Sequence, residues 1–181
     1  MNIFYLDMDP KKCAEMHVDK HCVKMILEYA QLLSTAHRVL GGVLLTGISD
    51  SGRKTTSWIL PDADNDILYK ATHINHPSAI WARQSDLNYM WLYAMFRALL
   101  SEYTYRYGKH HACERLIPSL ENLPRNFIMG NFTEPTPAMP PEYIVAGDSV
   151  QSYKNYYNGA KQALHNWKNR PIPDFIEVIQ C

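Results

Sequence analysis

The stretch Leu87–Leu100 constrains the fold more than any other part of the chain. Wound as a helix, it is apolar on nearly every face. Such a helix belongs at the centre of a structure, with other elements packed around it. The run is shorter than a membrane span and contains Arg97. The helix that holds it reads from Pro77 to about Tyr107 and stops before Gly108. A chain of 181 residues suits one domain, here 1–181. The sequence therefore predicts a mainly α fold, a single compact helical bundle.

Asp9-Pro10 is a helix start, with Asp as the cap and Pro in the first turn. That helix reads from Pro10 to Leu40, and Gly41-Gly42 stops it. From Gly42 to His76 the chain reads as a long loop with one short helix, and His110–Leu120 as a further short helix. Leu123–Gly147 carries Pro124, Pro135, Pro137, Pro140 and Pro141, so it is expected to be a long, extended crossover anchored by Phe127, Ile128, Phe132 and Tyr143. Asp148 can cap a last helix from Ser149 to about Lys168, and the tail Arg170–Phe175 wraps back.

Charge narrows the partners. Lys and Arg number 18, as do Asp and Glu, for a formal net charge of +0. Nucleic acid would have to be gripped by a local basic patch. The start has no cationic leader, so an intracellular, cytoplasmic protein with no membrane partner is expected. Cys13, Cys22, Cys113 and Cys181 form no C-x-x-C pair and read as free thiols. The glycines build no G-x-G-x-x-G or G-K-[ST] phosphate loop, and there is no G-x-S-x-G elbow, which argues against NTPase, dinucleotide and serine-hydrolase chemistry.

The first helix concentrates chemistry. At about 100° per residue, His17, His21, Lys24, Glu28, Gln31 and Thr35 share one stripe. Val18, Cys22, Met25, Ile26, Tyr29, Leu33 and Leu40 occupy the opposite arc. The stripe has three readings. It is a solvated face with a Lys24–Glu28 pair. Or His17, His21 and Glu28, with His73 and His76, hold a metal. The zinc-protease form is excluded, because Val18 follows the first histidine. Or Glu28 shuttles protons while an amine attacks a sugar carbon, the amine being Lys20, Lys24 or the chain's own α-amino group.

Elsewhere, Tyr153, Tyr156 and Tyr157 can stack on bases or pack a helix. Lys154, Lys161, Lys168 and Arg170 form a phosphate-tracking stripe or a solvated face. Arg83, Asp86 and Arg97 should be paired or sit at a cleft, and Arg83 lies close enough to His76 for a phosphate contact.

Three blocks resemble the pyrimidine-dimer DNA glycosylase/AP-lyase family of bacteria and phages. The first is Met1-Asn2-x-Phe4, Asp9-Pro10, and then Asp19-Lys20-His21, Lys24, Glu28 and Gln31. The second is Asn75-His76-Pro77 with Trp81. The third is Ser152-Tyr153 and Tyr156-Tyr157, followed by Trp167 and Pro171. They fall in the family's order over most of the chain. The resemblance implies an α-helical bundle that needs neither metal nor organic cofactor. It implies an N-terminal amine that forms a Schiff base with the sugar, and Glu28 as the catalytic glutamate. His21, Lys24, Met1 and Asn2 would complete the catalytic group. His17, Asp19, Lys20, Gln31, His76, Arg83, Tyr153, Tyr156 and Lys154 would meet the DNA or nucleotide substrate.

The chain departs from the family at two points. Asn2 follows the initiator methionine, and aminopeptidases seldom remove Met before Asn. Met1 would then carry the amine, or a lysine would replace it, or Schiff-base chemistry would be absent. The second departure is the neutral net charge. Two other readings of the chain are a base-modifying or N-glycosidic-bond enzyme acting on a nucleotide, and a non-enzymatic helical binding protein. The oligomeric state is left open.

Overall fold

Asp9 accepts hydrogen bonds from the amides of Lys11 and Lys12, and with Pro10 it starts α1 (Pro10–Met16) in the computed structural model, which describes residues 1–177. The single helix expected from Pro10 to Leu40 is broken. His17 is extended (φ −64°, ψ 133°) and α2 (Asp19–Gly41) begins anew. The cause is tertiary. In a continuous helix the Asp19 amide would bond the Glu15 carbonyl. Instead Asp19 donates to the carbonyl of Asn166, and Arg106 donates to the carbonyls of Glu15 and His17.

Between Gly42 and His76 the expected loop is in part a hairpin. Strands β1 (Val43–Ile48) and β2 (Lys54–Ile59) pair antiparallel, from Val43 opposite Ile59 to Ile48 opposite Lys54. The turn between them uses Gly52 at φ 76°, a conformation that favours glycine. The one short helix expected in this stretch is α3 (Asp64–Ile67).

The second long helix is also split, into α4 (Pro77–Ala82) and α5 (Asp86–Tyr107). Ser85 makes the break. Its hydroxyl accepts from the Asn88 amide and donates to the Asn131 carbonyl, so it caps α5 and ties down a distant loop. Gly108 ends α5 in the left-handed region, as expected. Leu92, Met95, Phe96 and Leu99 are wholly buried, and both α1 and α2 pack on α5. One strip of α5 nonetheless faces outward, through Leu87, Met90, Ala94, Arg97 and Ser101.

The expected helix at His110–Leu120 is a 3-10 turn (Ala112–Leu116) followed by α6 (Ile117–Leu120). The proline-rich stretch that follows carries the short 3-10 turn Pro141–Tyr143. Side chains hold it. Trp81 Nε1 donates to the Thr133 carbonyl, Asp86 accepts from the Gly130 amide, and Ser149 Oγ donates to the Pro135 carbonyl.

Asp148 caps α7 (Ser149–Asn158), as expected. This helix ends well before Lys168. Gly159 follows it, and the Tyr143 ring lies where a side chain at that position would have to go. Cys13, Cys22 and Cys113 are buried free thiols, and Cys181 lies outside the described residues. Among the described residues no helix is long and apolar enough to cross a membrane.

Candidate functional site

The first six residues are threaded through the core. Ile3, Tyr5 and Leu6 are wholly buried, and Phe4 nearly so. The Phe4 amide donates to Tyr29 Oη (3.2 Å). The Leu6 amide donates to Cys13 Sγ, and the Cys13 thiol donates to the Phe4 carbonyl. Asn2 is held by its side chain, which donates to the Ala138 carbonyl (2.9 Å) and accepts from Tyr153 Oη (2.5 Å). A chain end fixed in this way cannot fray.

This threading brings the α-amino nitrogen of Met1 to 3.9 Å from Glu28 Oε2. The other carboxylate oxygen, Oε1, lies 3.1 Å from Lys24 Nζ, one helical turn earlier. The Met1 side chain is 4% exposed, that of Glu28 14% and that of Lys24 71%. One carboxylate thus stands between the chain's α-amine and the solvated amine of Lys24.

Thr35, on the same stripe of α2, carries the next piece. Its hydroxyl donates to the carbonyl and accepts from the amide of Thr72. That pair fixes the loop leading to His76, including His73 at φ 48°. His76 caps α4, with Nδ1 accepting from the Ser78 amide (3.2 Å). Burial lowers the His76 pKa, and the Met1 amine and His73 lower it further, while Glu28 pulls it up. His76 is therefore neutral at pH 7. With Nδ1 engaged as an acceptor, Nε2 carries the proton as a donor.

His21 lies beneath this arrangement. Its ring stacks on Phe4 at 4.0 Å between centroids, and Nδ1 is 2.7 Å from Tyr157 Oη. Burial lowers its pKa to about 3, and the neighbouring His17, Lys161 and Lys24 act in the same direction. His17 belongs to the joint between α1 and α2 rather than to α2. It is wholly buried, with Nδ1 on the Cys13 carbonyl, and burial lowers its pKa to about 4. The helical stripe drawn from His17 therefore holds from His21 onward. Among the described residues no group of three or more His, Cys, Asp or Glu side chains is gathered as metal ligands would be.

The remaining expected site residues divide. Lys20 is exposed and Gln31 half-buried on α2. Tyr156 is half-buried, with Lys161 Nζ 4.6 Å above its ring. Lys154 stands over Phe175. Asp19 is tied to Arg106, to the Asn166 side chain and to the Lys168 amide. Arg83 donates to the carbonyls of Ala79 and Ile74, which fixes the guanidinium within the fold. Tyr153 is wholly buried and offers no face for stacking.

Tyr29 and Ala138, which hold the N-terminal segment, were not singled out from the sequence. A tyrosine in the apolar arc of a helix was a usable signal, because its buried hydroxyl needs a partner. Nothing in the residues marked the Ala138 carbonyl. A cavity of about 410 Å³, walled by Gln162, His165, Trp167 and Ile172, has neither Met1 nor Glu28 in its lining.

No family model, no curated protein and no solved structure matches the chain.

Proposed function

We propose that the protein breaks the N-glycosidic bond of a damaged or modified pyrimidine in DNA, with the Met1 α-amine as nucleophile and Glu28 as proton carrier. One observation carries the reading: the Met1 nitrogen lies 3.9 Å from Glu28 Oε2, beside a nearly buried Met1 side chain. The unprotonated amine adds to C1′ of the sugar as the C1′–N bond breaks. The base leaves with the bonding pair and takes up a proton, and Glu28 receives the proton given up by the amine. Glu28 then passes that proton to the ring oxygen as the sugar ring opens, which leaves a protonated imine between Met1 and C1′ and returns Glu28 to the carboxylate. The protonated imine acidifies the C2′ hydrogen. Its removal by the Glu28 carboxylate expels the 3′ phosphate.

In this reading His76 supplies a neutral donor, and Lys24, 3.1 Å from Glu28, and Lys161, over the Tyr156 ring, serve as a local basic rim. With a net charge of +0, that rim has to do the work of phosphate attraction. The helical bundle and the cytoplasmic location belong to this proposal. Neutral net charge also favours a second reading, in which the same pair acts on a nucleotide that needs no long basic groove.

Borohydride trapping tests the proposal. Protein is mixed with duplexes bearing an abasic site or a thymine dimer and then reduced. The expected result is a covalent adduct that peptide mass spectrometry places on Met1. Glu28→Gln should lower its yield rate at least ~10²-fold, the usual scale for a lost acid–base group, with an unchanged melting temperature. An adduct on Lys20 or Lys24 overturns the assigned nucleophile. Absence of both adduct and DNA binding overturns the DNA reading in favour of the nucleotide one.

A further inference from the structure

Next to the Met1 amine, a closed ring of hydrogen bonds joins three segments remote in sequence. Asn2 Nδ2 donates to the Ala138 carbonyl at 2.9 Å. The Ala138 amide donates to Tyr153 Oη at 3.3 Å. The Tyr153 hydroxyl donates to Asn2 Oδ1 at 2.5 Å, which closes the ring. Asn2 Oδ1 also accepts from the Ile3 amide at 3.0 Å. Both polar arms of the Asn2 side chain are thus engaged one residue from the amine. The hydroxyl has a single hydrogen, and the Thr136 carbonyl at 3.4 Å is the weaker of its two acceptors.

Anchoring alone does not call for this ring. Ile3, Tyr5 and Leu6 are already wholly buried, and Phe4 is bonded through its amide. What remains undetermined by that burial is the direction of the last residue, and the ring fixes it. We propose that Asn2 and Tyr153 are positioning residues, which hold the Met1 α-amine against Glu28 through the Ala138 peptide. The proposal rests on the reading of that amine as the nucleophile. It gives Tyr153 a part in the site through its hydroxyl, in place of the stacking face expected from the sequence.

Tyr153→Phe removes the hydroxyl and keeps the ring. The first readout needs no DNA. The full chain is treated with cyanate, and carbamylation of the Met1 amine is measured by peptide mass spectrometry against the lysines of the same sample. Release of the amine from Glu28 should raise its relative rate at least threefold. The second readout is borohydride trapping on an abasic duplex at saturating concentration. The rate should fall tenfold or more, while duplex affinity stays within twofold of the parent.

A relative cyanate rate equal to that of the parent overturns the proposal, as does parental trapping by Tyr153→Phe. If Tyr153→Phe does not fold, Asn2→Asp replaces it. That change keeps the acceptor for Tyr153, loses the donor to Ala138, and leaves a second residue too bulky for removal of Met1. The same rise in cyanate rate is expected, and its absence overturns the clamp. A parent protein that traps no duplex, yet shows the cyanate difference between parent and variant, sinks the glycosylase reading and leaves the clamp standing.

Discussion

At His17, His21 and His37, burial decides the protonation state. Desolvation lowers the pKa to about 4, about 3 and about 4 respectively. Each ring is also hydrogen-bonded within the core: His17 to the Cys13 carbonyl, His21 to Tyr157 Oη, His37 Nε2 to Tyr89 Oη. The Cys13 carbonyl pulls the His17 pKa up, and desolvation outweighs it. The unfolded value lies near 6.5, so between the two values the unfolded chain binds more protons than the folded one. Stability from these groups is complete above about pH 6.5. It is lost as pH falls from there towards 4, and towards 3 for His21. Each histidine can contribute a slope of up to ~1.4 kcal/mol per pH unit in that window. Urea melts at pH 7, 6 and 5 should show a steep fall, and His37→Gln should remove about one proton from the slope. A stability that is flat from pH 7 to 5 would contradict buried neutral histidines.

At the scale of elements, the helices and most of their outer caps were legible, and the breaks inside the two long helices were not. Asp9-Pro10, Gly108 and Asp148 work as local signals, because a cap acts within a few residues. The breaks at His17 and Arg83–Ser85 are imposed from a distance, by Arg106 in the first case and by the Asn131 loop in the second. The hairpin hid for another reason. Both its faces are largely exposed, so no inside-outside alternation marks it, and a lone two-stranded sheet is marginal by itself.

Arg38 supplies what the hairpin lacks. Its guanidinium donates to the carbonyls of Tyr69, Trp58, Asn65 and Leu68 and to Asn65 Oδ1, and among the described residues no carboxylate pairs with it. Gly42 lets the chain turn there, because a Cβ would lie 2.5 Å from the Arg38 carbonyl oxygen. Arg38→Met should cost on the order of 3 kcal/mol, since it strands the buried Leu68 carbonyl and three half-buried ones. Limited proteolysis should then cut first within 43–68. Arg38→Lys should not rescue it, because one ammonium cannot reach this spread of acceptors. Unchanged proteolysis in Arg38→Met would remove Arg38 as the anchor of the hairpin.

At the scale of the whole molecule, one buried charge network joins the beginning, middle and end of the chain. Arg106 Nε donates to Glu102 Oε1 at 2.6 Å, Arg106 Nη1 reaches Asp19 Oδ1 at 2.9 Å, and Arg170 holds Glu102 Oε2 at 2.8 Å. Burial pushes the Glu102 carboxyl upward, but hydrogen bonds from Arg170 and Arg106 outweigh it and hold its pKa below the usual range. In the sequence Glu102 and Arg106 look like an ordinary helix-surface pair, and only the fold reveals that their side chains are 3% and 0% exposed. The same network claims Asp19, so one member of the sequence-level site belongs to the frame that sets α2 beside α5. The amine, Glu28 and His76 remain on the other side of that division.

Arg106→Met should therefore destabilise the fold by ~3–5 kcal/mol in urea melts, the range for breaking a buried pair, because it leaves carbonyls of the α1–α2 joint and part of Glu102 without partners. Glu102→Leu combined with Arg106→Met removes the orphaned carboxylate as well. It should regain part of that loss, though Arg170 then lacks its main partner. A double variant less stable than Arg106→Met would mean that the Arg170–Glu102 pair, and not Arg106, carries the joint. Cyanate reactivity of Met1 in the folded double variant decides whether the frame and the site are coupled. A parental rate is expected, since the first two residues are held by Asn2 and Tyr153, which bond to no member of the network, and Tyr29 reaches it only through a long bond to His17.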